Sequence, residues 1–116
     1  MKILVIDDSP FVAKAVIKAV EGTEHSVIGI ALNGQIGIDK YLQLKPDVIT
    51  LDVTMPVMEG LEAAKRLFQL NPNVKIILLS AMGDESLHNE ARQIGIKHFL
   101  TKPFKPEDLL QRLAEV

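Results

Sequence analysis

The chain has 116 residues, of which 47% are hydrophobic and 24% charged, with a formal net charge of −2; that is enough for one domain with a sizeable core, and it offers no basic footprint for nucleic acid. Cysteine is absent, which excludes disulfides, thiolate metal sites and cysteine nucleophiles. The longest apolar stretches, such as Val74 to Met82 with its Lys75 and Ser80, are too short to cross a bilayer, and Met1-Lys2 leads into a strand-like run without an apolar signal segment, so a single cytoplasmic domain over residues 1–116 is expected.

Short aliphatic runs alternate with segments of helical period. Lys2 to Ile6 reads as a strand ending in Asp7-Asp8. Ser9 then reads as an N-cap and Pro10 as the first helical position, with Val12, Ala13, Val16, Ile17 and Val20 forming an apolar stripe. Ser26 to Ala31 predicts a second strand and Gly34 to Leu44 a second helix ended by Pro46. Asp47 to Leu51 predicts the third strand, which delivers Asp52 at its carboxyl end. The loop Val53 to Gly60 precedes a helix through Leu61, Ala64, Leu67 and Phe68 that stops near Asn71-Pro72. Val74 to Leu79 is the most apolar strand and is expected inside the sheet. A helix from Glu85 to Ile94 closes at Gly95, a C′ glycine; Lys97 to Thr101 is the fifth strand, and Pro106 opens the last helix. Five βα repeats with short connections predict an α/β fold, doubly wound, with helices on both faces of a parallel sheet.

In such sheets, function collects beyond the carboxyl ends of the strands. Those ends carry Asp7-Asp8, Asp52, Ser80 and Thr101-Lys102. Taken singly, each has an ordinary explanation: an acidic pair in a turn, an aspartate or serine capping the next helix, a solvated lysine. Converging on one edge, they make a different chemistry. Carboxylates crowded together repel, and a hard divalent cation and Lys102 would hold them ionised. An oxygen-only site with room for water suits Mg²⁺. Mg²⁺ and Lys102 together would neutralise the equatorial oxygens of a phosphoryl group in transfer, with Asp52 as the nucleophile and Ser80 as a hydrogen-bond partner of the phosphoryl group. His25, His88 and His98 have no ligand-like spacing and read as surface or strand-edge residues. Met55, Met58 and Met82 read as gap-fillers near the loops.

The segments I-L-V-I-D-D-S at Ile3 to Ser9, D-V-I-T-L-D-V-T-M-P-V-M-E-G at Asp47 to Gly60, L-L-S-A at Leu78 to Ala81 and T-K-P-F at Thr101 to Phe104 occur in one order at strand ends. In this the chain resembles the receiver domains of two-component response regulators over essentially its whole length. The resemblance implies a (βα)5 flavodoxin-like sandwich with strand order 2-1-3-4-5. It further implies Asp52 as phosphoacceptor, and Asp8, Asp52 and the Thr54 carbonyl as Mg²⁺ ligands, with Asp7 acting through water or by orienting the site. Lys102 would contact the phosphoryl group, Ser80 would be the switch hydroxyl and Phe99 the switch aromatic. A cis Lys102-Pro103 bond is expected on the same ground, and Thr54 and Met82 fall where variation tunes phosphate lifetime.

The partners it implies are a sensor histidine kinase or phosphotransfer protein and a downstream effector or output domain, reached through the face of the fourth helix, fifth strand and fifth helix; a phosphorylation-dependent dimer is a further arrangement of the same kind. Such a chain is a phosphoacceptor rather than an enzyme. Competing readings fit less well. A haloacid-dehalogenase-like phosphatase needs a second aspartate, which Asp52-Val53-Thr54 lacks, and a cap domain. A flavodoxin-type carrier needs a Ser/Thr-Gly phosphate loop where this chain has Asp8-Ser9-Pro10-Phe11. A degenerate receiver acting only as a binding module would not need the intact acidic set.

Overall fold

The structure is a computed structural model and describes residues 1–53, 60–81 and 85–116. Five strands alternate with five helices: β1 (Lys2–Ile6), α1 (Pro10–Val20), β2 (Ser26–Ala31), α2 (Gly34–Leu44), β3 (Val48–Asp52), α3 (Gly60–Leu70), β4 (Ile76–Ser80), α4 (Glu85–Ile94), β5 (His98–Thr101) and α5 (Pro106–Glu115). The strands form one parallel sheet in the order β2-β1-β3-β4-β5, as the family resemblance implied. No helix among the described residues is long and apolar enough to cross a membrane.

Side-chain alternation along the strands sorts the core into two layers. Leu4, Ile6, Ile49, Leu51, Ile76 and Leu78 pack with residues of α2, α3 and α4. Ile3, Val5, Val48, Ile77, Leu79 and Leu100 pack with α1 and α5. β3 and β4 are buried at every position, which is what strands covered on both faces require. Thr50 is also fully buried, in register with Val5 and Ile77, and its hydroxyl has no hydrogen-bond partner among the described residues.

The differences from expectation are local and have local causes. β4 opens at Ile76, not Val74, because the Val74 N–H donates to the Asn71 carbonyl (3.0 Å) and the Asn73 N–H to Asn71 Oδ1 (3.0 Å), closing a turn. β3 extends through Asp52, which pairs with Leu79. β5 begins at His98 and α3 at Gly60, each one position from the expected start. Ser9 stands at the N-cap of α1 but makes no side-chain cap; its N–H donates to Asp7 Oδ1 at 2.9 Å. Asn33 caps α2 by accepting from the Ile36 N–H. Gly95, at φ +127°, closes α4 as expected.

β2 and β5 are the sheet's edges, and each has a cation at an edge carbonyl. The Lys40 ammonium of α2 donates to the Ile30 carbonyl at 2.7 Å. The Arg112 guanidinium of α5 donates through Nε to the Phe99 carbonyl at 2.8 Å.

Candidate functional site

The backbone places the polar strand ends before any side chain acts. The Asp7 N–H donates to the Ala31 carbonyl at 2.9 Å, carrying the β1–β2 ladder one residue past β1. The Lys102 N–H donates to the Ser80 carbonyl at 2.8 Å and does the same for β4–β5. The Lys102-Pro103 peptide is cis, as expected from the resemblance. Asp52 ends β3 between these two extensions, with α3 against its back: a Cβ on Gly60 would collide with the Asp52 carbonyl and lie 2.7 Å from Val53 Cα. Only glycine permits that approach.

The side chains converge as the strand-end pattern predicted. Asp7 and Asp52 are buried and Asp8 is exposed; each of the three offers a carboxylate oxygen, and these oxygens lie within 4.8 Å of one another. The Lys102 ammonium bridges the two buried carboxylates, 3.1 Å from Asp7 Oδ2 and 3.0 Å from Asp52 Oδ1. Burial works to lower the lysine pKa, but its hydrogen bonds to Asp52 and Asp7 and their negative charges together outweigh that, and it stands above its ordinary 10.5. Three carboxylates against one ammonium leave excess negative charge in the pocket. The donors are all hard oxygens, one is open to solvent, and their span is close to the about 4 Å between opposite corners of a Mg²⁺ octahedron. The residues present therefore fit a magnesium ion. Thr54, expected to add a carbonyl ligand, lies outside the described residues, as do Met55, Met58 and Met82.

Ser80 and Phe99 make contacts of another kind, on the α4 side of the sheet. Ser80, only 1% exposed, has its Oγ 2.8 Å from His88 Nε2. The His88 ring packs on Phe99 with centroids 4.6 Å apart and planes at 33°. The Arg92 guanidinium lies 5.0 Å from the Phe99 ring centre. His88 was expected at the surface; it is half-buried on α4 between two predicted site residues. The signal that would have found it is helical: Leu87, Ala91 and Ile94 form the core-facing stripe of α4, and His88 sits three residues before the buried Ala91. His25, by contrast, pairs with the chain's own amino terminus (3.1 Å) and with Glu24, away from the site.

An acidic pocket at the carboxyl ends of β1 and β3, with a lysine reaching across from the end of β5 on a 2-1-3-4-5 sheet, defines a phosphoacceptor domain. The family model for the response regulator receiver domain matches residues 3–114, and the chain belongs to that family. It is a CheY-like receiver of two-component signalling, a phosphoacceptor rather than a catalytic enzyme. The chemotaxis protein CheY of Thermotoga maritima is 38% identical over 99% of this chain and 96% of its own length. A protein-glutamate methylesterase/protein-glutamine glutaminase of Halalkalibacterium halodurans is 42% identical over 94% of the chain, a match that spans 32% of that longer protein. Among solved structures, the CheX-CheY-BeF3-Mg²⁺ complex from Borrelia burgdorferi contains a chain that superposes with a TM-score of 0.93 at 30% identity, covering 99% of this chain and 87% of that one.

Proposed function

We propose that residues 1–116 form one receiver domain that takes a phosphoryl group onto Asp52 from a sensor histidine kinase or phosphotransfer protein in the cytoplasm. An Asp52 carboxylate oxygen attacks the phosphorus of a phosphohistidine, the P–N bond breaks, and the imidazole leaves with a proton taken from solvent. Lys102 carries this reading: its ammonium already bridges Asp52 and Asp7, so it can neutralise a phosphoryl oxygen without travelling. Asp7 is committed on both oxygens, to the Ser9 N–H and to Lys102, and so acts by orienting the pocket. Asp8 and Asp52, with the Thr54 carbonyl, would then hold Mg²⁺, as the family resemblance implies, and the ion would neutralise the charge of the phosphoryl oxygens. The Mg²⁺ named in the Borrelia complex supports magnesium as the ion for this pocket.

Once Asp52 is phosphorylated, Ser80 donates to a phosphoryl oxygen, Phe99 repacks, and the face of α4, β5 and α5 presents a changed surface to an effector protein. The modification works by weighting two states differently. Phe11, 78% exposed, forms an apolar patch with Val12, Pro103 and Phe104 beside the pocket mouth, where a phosphate donor has to approach. The test is labelling by acetyl phosphate or a cognate kinase. Asp52→Asn is expected to lose more than about a hundredfold of the labelling while keeping its fold; labelling that persists at the wild-type rate in this variant would remove Asp52 as acceptor.

A further inference from the structure

We propose that His88 is a resting-state latch: it holds the single hydroxyl hydrogen of Ser80 and must release it before Ser80 can bond a phosphoryl group on Asp52. The proposal rests on the reading of Ser80 as the switch hydroxyl. A serine hydroxyl has one hydrogen to give and two lone pairs. Ser80 is 1% exposed, and among the described residues the partner of its Oγ is His88 Nε2, at 2.8 Å. If Nε2 carried a hydrogen and donated it, the buried hydroxyl hydrogen would have no acceptor among the described residues, an arrangement folded chains avoid. The hydroxyl therefore donates to a bare Nε2, and the ring keeps its hydrogen on Nδ1. A phosphoryl oxygen then competes for the same hydrogen, and wins because its charge makes it the stronger acceptor.

What His88 touches gives the release a consequence. Its ring lies against Phe99, and Arg92, one turn further along α4, covers the same ring. When Ser80 withdraws its hydrogen, Nε2 loses its partner, and the α4–β5 contact centred on Phe99 is freed to repack. His88 is thus a positioning residue that acts through Ser80. The plainer alternative is that His88 only packs against Phe99, in which case the ring matters and the nitrogen does not.

The experiment separates ring from nitrogen in the full chain, titrating beryllofluoride at saturating Mg²⁺ and following amide NMR signals of α4 and β5. His88→Phe keeps a ring and removes the acceptor; it is expected to reach half-response at about three- to tenfold lower beryllofluoride than wild type. His88→Gln, which restores an acceptor, is expected to return toward the wild-type value. In a Ser80→Ala background, His88→Phe is expected to add nothing. In the unsubstituted protein, the His88 Nε2 resonance is expected to be that of an unprotonated ring nitrogen and to move on beryllofluoride addition. An unchanged or raised half-point in His88→Phe, the same gain without Ser80, or a protonated Nε2 at rest overturns the latch. A Ser80→Ala chain that responds as fully as wild type overturns the switch role of Ser80 itself, and with it the latch.

Discussion

Two clusters hang from the same edge of the sheet and are built from opposite physics. Asp7, Asp52 and Lys102 are joined by charge, buried or partly buried, and tied to strand ends by ladder hydrogen bonds at 2.9 and 2.8 Å. Ser80, His88 and Phe99 are joined by one hydrogen bond, neutral in the tautomer proposed above, and a tilted ring contact. A neutral hydrogen bond contributes only about 0.5–1.5 kcal/mol net, whereas removing one partner of a buried charge pair costs several times that. On the proposed function, the first cluster presents the same geometry for every phosphoryl transfer. On the same proposal the second changes and changes back, and a bond of that size can be outbid by a charged acceptor.

The sharpest way to break the comparison is to take away the ammonium. Lys102→Met strands two buried carboxylates, and a loss of about 2–3 kcal/mol at neutral pH is expected in urea unfolding, a figure already reduced because the Lys102 side chain is 28% exposed. The sign of the pH dependence follows from the raised lysine pKa. Its contribution is complete below the ordinary 10.5 and is lost as pH climbs through the higher folded value. Wild type should therefore lose stability above pH 10.5 in a window where Lys102→Met is flatter. If the variant is as stable as wild type at neutral pH, charge does not fix this edge.

A smaller effect is expected at Gly60, where the rigid cluster meets α3. Gly60→Ala forces a methyl into the Asp52 carbonyl. It should cost about 1–3 kcal/mol in thermal unfolding and slow the labelling of Asp52, while the His88 ring signals barely move. If labelling is unchanged, the back of β3 is softer than the ladder implies. The smallest effect belongs to the second cluster. Phe99→Leu loses the contacts with His88 and Arg92, worth about 1 kcal/mol, and acetyl phosphate should label it at the wild-type rate. Slower labelling there would mean that the two clusters are coupled in the acceptor chemistry itself.

The charged cluster was legible because it obeys one rule: each of its members ends or follows an apolar run, and parallel strands bring their ends together. Element types were legible for the same reason, since β-strand and helical periods differ and the connections are short. Strand order was not; alternation says which segments are strands but not which lie side by side, and that part came from the family resemblance. The start of β4 escaped because Val74 is as apolar as the strand it precedes, and only the Asn71 turn takes its N–H away. Ser9 looked like a cap from position alone, yet its side chain makes no cap hydrogen bond; its amide donates to Asp7 instead. His88 escaped for a tertiary reason. Ligand spacing along the chain was the wrong measure for a residue whose partners come from β4 and β5.

The basic residues at the two sheet edges bear on what this chain does in a crowded solution. Carbonyls of a parallel strand point alternately to either side. The Ala31 carbonyl turns inward to accept from Asp7, so that of Ile30 turns outward; Lys102 turns inward to Ser80, which sets Phe99 outward. Lys40 and Arg112 therefore sit on the acceptors that a strand from another molecule would need in order to dock. An uncovered strand edge is a template for intermolecular pairing and aggregation. With a cation from the adjacent helix at each margin, a sheet whose central strands are buried at every position can stay dispersed at high concentration and still leave its helical faces open to partners.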